Sequence, residues 1–469
     1  MLDARGSRSR RGLAVLALAV LFAAACAPAP SLTGDTAPTP APTATSPPAP
    51  PAPTTTTTTP PDDGLPQIAP LDIFPVTPEE LGELDRVNGR IALVGADAAI
   101  RSGGATIDLT TGALPSQPTW SRDGSRLAVV SLSGRDAVVD IFDGVTGDTI
   151  SRTTAARLYF FLTWSHDGSR IAALGSGIDE NGGVHTVLDI LDADGVALQS
   201  EVAAAGSLFV AWDPQSLRLA AHADDRLLRI DADGSVTDLG GVGVDFFAPK
   251  WIPDTSEIIL TTDIEGSPFL VRRTIDGGDT LKTLGAADRE TRIAVNPDGQ
   301  TAAISRTFEV EGGGGASKIG LPFLPQTGSV LSGAVDILDL ETGDRTTVFT
   351  GFNLWTEWNP QGSRLLIYAA DTVEGTGTWW IYEHEPALAE PEPPTEILTF
   401  TPTPIFLGSY AAFSDQFIES PRLWSPTGTD FVYAELGERG SIIRTVNASG
   451  ALEPTTVGSG EVGFWSPSG

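Results

Sequence analysis

Proton transfer, nucleophilic attack and metal binding need histidines, cysteines or grouped carboxylates, and this chain of 469 residues offers few in useful patterns. Its four histidines, His166, His185, His222 and His384, are scattered. Gly-x-Ser-x-Gly, Ser-x-x-Lys and His-Glu-x-x-His do not occur, so no hydrolase nucleophile or zinc-protease helix is signalled. Asp192/Asp194 and Asp231/Asp233 lie in Asp-x-Asp-Gly stretches. A calcium loop requires more oxygen ligands than these supply, so they read as plain turns. No catalytic residue, metal or cofactor is expected, and a binding or scaffolding role is favoured over an enzyme.

The single cysteine, Cys26, cannot form an internal disulfide. Its surroundings give it another chemistry. Arg5, Arg8, Arg10 and Arg11 precede an apolar run, Leu13 to Ala25, too short to span a bilayer and suited to a signal-peptide core. Ala23-Ala24-Ala25-Cys26 resembles the bacterial lipobox, with Ala23 where that pattern prefers Leu. The resemblance implies that residues 1–25 are removed and Cys26 is lipidated. Ser9-Arg10-Arg11-Gly12-Leu13 also resembles a twin-arginine export signal, which leaves the export route open. Residues 26–64 are dominated by Pro, Thr and Ala and are too poor in apolar side chains to build a core. In polyproline II such a spacer holds the next domain up to ~100 Å from the membrane. Residues 65–88 form a lead-in.

From residue 89 onward one motif recurs eight times, and it is structural. It reads Trp120-Ser-Arg-Asp-Gly, Trp164-Ser-His-Asp-Gly, Trp212-Asp-Pro-Gln-Ser, Trp251-Ile-Pro-Asp-Thr, Val295-Asn-Pro-Asp-Gly, Trp358-Asn-Pro-Gln-Gly, Trp424-Ser-Pro-Thr-Gly and Trp465-Ser-Pro-Ser-Gly. Pro fixes φ, Asp caps, and Gly accepts φ > 0, so each is a turn. Two alternating apolar runs follow most turns, such as Arg126-Leu-Ala-Val-Val and Val138-Val-Asp-Ile-Phe, which predicts antiparallel strands. A unit of three or four strands cannot bury both faces alone, so units must stack radially with the Trp as the plug between neighbours. The pattern resembles the TolB-type, WD-like propeller repeat over residues 89–469. That resemblance implies an all-β propeller acting in an envelope complex.

The ends are complementary. Arg90-Ile-Ala-Leu-Val and Ala105-Thr-Ile-Asp-Leu match later strands of a unit with no preceding Trp, while Val462 to Trp465 is a first strand with nothing after it. Sharing one blade closes the ring and removes its edges. Eight blades are expected, with seven, one unit being used differently, as the alternative. Val295, Ser216 and Thr255 depart from the motif and predict poorer turns.

Two long loops fall on one face, Glu309 to Gly333 and Thr401 to Ser420. Long loops on a rigid scaffold are where function concentrates. Phe323, Leu324, Phe406, Tyr410 and Phe413 are therefore the candidate partner-binding patch. The alternative is that these loops fold over the ring and cover its channel. Asp and Glu number 60 against 29 Lys and Arg, a formal charge of −31. A surface this acidic disfavours nucleic acid and anionic lipid. The expectation is an exported monomer, held by its lipid at the outer face of a bacterial membrane, that binds an envelope protein, peptide or glycan. A channel enzyme of hydrolase or lactonase type, or a ligand sensor, is the runner-up.

Overall fold

In a computed structural model, the described residues are 89–469, apart from 243–247, 278–279, 289–290, 312–328, 372, 387, 389, 419 and 421. They form eight antiparallel blades in a ring, an eight-bladed β-propeller. Cys26, the expected lipidation residue, lies outside them. Seven blades have four strands. Blade 2 is Ala113–Trp120, Arg126–Ser133, Asp136–Asp143 and Thr149–Thr154 in spatial order, and blades 3 to 7 repeat that order. The first strand of most blades is largely buried, as in Leu208–Trp212, whereas the fourth is mainly exposed or half-buried, as in Thr149–Thr154. The first strand is thus innermost and lines the channel.

The repeated Trp does more than fill space. Trp164 donates its indole N–H to the carbonyl of Thr119, Trp212 to Thr163 and Trp251 to Ala211. Trp358 donates to Ala294, Trp424 to Glu357 and Trp120 to Phe464. In every case the acceptor is the residue just before the motif position of the preceding blade. The indoles therefore stitch successive inner strands together while their rings exclude water. Val295 has no such donor, and the Nε1 of Trp465 has no partner among the described residues.

The predicted weak turns are solved differently. Ser216 occupies the glycine position and adopts φ 62°. In blade 5 the left-handed residue moves one place earlier, to Asp254 at φ 58°, a conformation Asp tolerates better than a β-branched Thr255 would.

Blade 1 is the shared blade. Val462–Trp465 pairs antiparallel with Arg90–Val94, with Ile91 opposite Trp465. Arg90 pins this seam: its Nη1 donates to the carbonyls of Gly124 and Gly144 at 2.9 and 2.7 Å, and its guanidinium lies 5.5 Å over the Trp120 ring. Blade 8 is the irregular one. It keeps three strands, and its first is reduced to a single bridge between Trp424 and Phe431.

Candidate functional site: a plugged channel

The segment between blades 7 and 8 enters the channel. Thr403 starts it, accepting the Phe406 N–H on Oγ1 and donating to the carbonyl of Glu461 in the seam. The chain then makes a π-helical turn, Phe406–Tyr410, a 3-10 turn, Ala411–Phe413, and one α-helical turn, Ser414–Phe417. Inner strands have a free backbone edge facing the axis, and the segment satisfies it. The Gln416 carboxamide accepts from the Val210 N–H at 2.9 Å and donates to the Val210 carbonyl at 2.8 Å. Ser420 donates to the Leu162 carbonyl, and Asp415 accepts from the Ala248 N–H. Lys250 donates to the carbonyl of Asp415. Aromatic contacts complete the plug: Tyr410 on Phe417 and Phe464, Phe417 on Phe161, and Phe406 on Trp355.

This placement decides the state of the candidate patch. Phe406 and Tyr410 are 4% and 2% exposed, inside the channel. Phe413 is half-buried at its mouth. Phe323 and Leu324 lie outside the described residues. The structure therefore brings Phe406, Tyr410 and Phe413 together, but only Phe413 offers surface.

Beside Phe413 is a narrow cleft lined by Gln117, Phe160, Phe161, Leu174, Leu208, Phe209, Ser409, Gln416 and Phe417, with room for about two waters. Its blade 2 wall is strained. Leu114 and Gln117 adopt φ 51° and 53° within Ala113–Trp120, and the pairing slips twice along that strand. The distortion turns the Gln117 N–H onto the buried Tyr410 hydroxyl, whose pKa burial pushes up. The propeller face that holds this cleft carries exposed apolar residues in blades 2 and 3: Leu114 (50%), Leu158 (47%), Ile178 (75%) and Val184 (52%). Leu114 and Leu158 precede or begin inner strands, and Ile178 pairs with Val184 at the tip of the blade 3 hairpin. Chain direction puts all four on the mouth side. Reading the sequence missed them because each is a single residue in a separate segment.

The titratable groups are mostly consumed by structure. Asp189 is fully buried, bonded to Tyr159 Oη, Arg157 Nε and the Glu201 N–H. Asp336 repeats this with Arg306 and Thr347. Asp192 accepts the N–H groups of Asp194 and Val196, as a turn residue does. His166 meets Arg122, His222 packs near Phe209, and His384 lies edge-on to Trp358, in separate blades. Among the described residues no three His, Cys, Asp or Glu are grouped to hold a metal.

One carboxyl stands apart. Glu357 lies on the inner strand of blade 7, and burial pushes its pKa up to about 7 against the opposing pull of the Trp355 indole N–H, Arg422 and the Leu423 N–H. It replaces part of the pairing that blade 8's missing first strand would have made.

No family model and no curated protein matches this sequence. Similar solved structures include a eukaryotic initiation factor, 12% identical, covering 81% of this chain and 98% of that one at a TM-score of 0.52. They also include TolB from Acinetobacter baumannii, 16% identical, covering 64% and 62% at 0.34. A third is the dihydro-haem d1 dehydrogenase NirN, 14% identical, covering 86% and 82% at 0.48. At these identities the likeness concerns the propeller fold alone.

Proposed function

We propose that this chain is an envelope-anchored binding module: a propeller, tethered through lipidated Cys26 and the 26–64 spacer, that docks a protein or peptide on the mouth face of blades 2 and 3. The observation that carries the reading is the set of exposed apolar residues, Leu114, Leu158, Ile178 and Val184, on the face that also holds the cleft at Phe413. Exposed apolar side chains on the same face as a cleft suit a partner that supplies an apolar anchor. The channel supports the same reading, because the chain's own segment already fills it.

A photo-crosslinking residue at Ile178, in native membranes, tests this. The reading expects one discrete adduct from Ile178 and none from Val145 on the opposite face; equal labelling from both positions refutes it. Replacing Cys26 with Ser tests the anchor, which predicts release of the protein from membranes.

The alternative is a channel enzyme of hydrolase or lactonase type. It draws on Glu357, whose pKa near neutrality suits acid–base work. No second titratable side chain joins it as nucleophile or base among the hydrogen bonds it makes, so the binding reading is preferred.

A further inference from the structure

Phe406 occupies a socket of three buried rings. Trp355, Tyr368 and Trp379 surround it at centroid separations of 5.9, 5.5 and 6.1 Å. On its blade 8 side Phe431 packs on Trp379, where blade 8 lacks a regular first strand. Two polar atoms of the socket, Tyr368 Oη and Trp379 Nε1, are buried without a hydrogen-bond partner. Phe406 is a hydrocarbon and can satisfy neither. Native proteins rarely leave buried donors unmade, and such atoms call for an explanation.

The segment carrying Phe406 is suited to leave. It joins three helical types in twelve residues, Thr403 caps only its start while no side chain caps the 3-10 and α-helical turns, and its first turn is π-helical, a form concentrated at functional sites. Its own side chains reach blades 3, 4 and 5 by bonds to strand edges, which a competing chain or water can replace, and one buried blade side chain, Lys250, reaches back to its Asp415 carbonyl.

We infer that the channel segment is an internal ligand and that the socket beneath Phe406 is a binding site for a phenolic ring. A flat ring replaces Phe406 among the three aromatics. Trp379 Nε1 only donates, so the ligand must present an acceptor; the Tyr368 hydroxyl donates or accepts. A phenol oxygen has the chemistry to bond with either atom, a plain hydrocarbon with neither, and an ammonium cannot accept. The inference stands on the blade 7 socket and not on the docking face of blades 2 and 3, although the cleft beside Phe413 is lined in part by the same segment, at Ser409, Phe413, Gln416 and Phe417.

Phe406→Ala in the full chain empties the socket while keeping the Gln416, Asp415 and Ser420 attachments. Binding of p-cresol, toluene and N-acetyltyrosinamide is then followed by tryptophan fluorescence. The variant is expected to bind p-cresol at least ten-fold more tightly than toluene, and at least ten-fold more tightly than the native protein does. Adding Tyr368→Phe should erase most of that preference. If N-acetyltyrosinamide binds as well, a tyrosine side chain is the natural source; if only p-cresol binds, a free phenol is. Toluene binding as tightly as p-cresol, or no binding by a folded variant, overturns the inference. Should Phe406→Ala fail to fold, Phe406→Val carries the same comparison. Failure of both to fold also overturns it, since the segment would then be core and not ligand.

Discussion

The indole nitrogen of Trp120 donates to the main-chain carbonyl of Phe464 at 3.1 Å, across 344 residues of sequence. It is the one link of the tryptophan series that joins the two ends of the chain. The same bond is drawn at five other blade junctions by local neighbours, so the seam is closed by the chemistry that builds the rest of the ring.

Removing that bond should be measurable against a control within the same series. Trp120→Phe loses the indole donor and some packing, an expected cost of about 2–3 kcal/mol. Trp465→Phe loses similar packing but no bond, because its Nε1 has no partner. Urea unfolding should place Trp465→Phe about 1 kcal/mol above Trp120→Phe in stability. Equal losses would show that the indole bonds add nothing to closure.

Asp189 is expected to be structural and not catalytic. Asp189→Asn leaves Arg157 without its buried partner and disturbs the Tyr159 bond, at a cost of roughly 3–5 kcal/mol. Thermal unfolding checks this; a loss under about 1 kcal/mol would mean the buried pair is not holding blade 3.

Glu357 gives the pH dependence a definite sign. Its folded pKa, about 7, lies above the ordinary 4.5, so the folded state holds the proton more tightly than the unfolded chain. Its contribution to stability is fully present below pH 4.5, falls as pH rises toward 7, and stays lost above that. Glu357→Gln keeps an acceptor for the Trp355 indole and removes the titration. The variant should gain on the order of 3 kcal/mol relative to the native protein at pH 8, and little at pH 4. Paired denaturation curves at the two pH values decide the matter, and a gain that does not grow with pH would contradict it.

The plug makes its own prediction. Gln416→Leu strips both bonds from Val210, leaving a buried N–H and a carbonyl unpaired, at about 1–3 kcal/mol. Hydrogen exchange at the Val210 amide should accelerate strongly while exchange in the second strand of the same blade changes little. Slow exchange at Val210 in the variant would mean that Gln416 does not seal the inner edge.

The ring was legible in the sequence because one local signal, Trp followed by a turn, repeats at seven blades with Val295 in the Trp place of the eighth, and because Arg90–Val94 and Val462–Trp465 each lack what the other supplies. The loop at 401–420 was legible only as long and apolar. Composition cannot say whether Phe406 and Tyr410 meet another molecule or their own channel; that depends on Gln416, Asp415 and Ser420 reaching strand edges more than 160 residues away. The irregular blade 8 was equally hidden. Arg422-Leu423-Trp424 reads as a strand, yet the Leu423 N–H goes to the Glu357 carboxylate. Leu114, Leu158, Ile178 and Val184 carry no pattern in sequence and become a surface only through the topology of blades 2 and 3.

The docking face is tested most directly by affinity. With the partner captured at Ile178 in hand, its binding to the native protein is compared with binding to Leu158→Asp/Ile178→Asp and to Val145→Asp/Leu217→Asp, which changes the opposite face. The first pair should weaken binding at least ten-fold, about 1.4 kcal/mol or more, and the second should leave it unchanged. Equal affinity for the native protein and the Leu158→Asp/Ile178→Asp variant, with both folded, would contradict the assignment of this face.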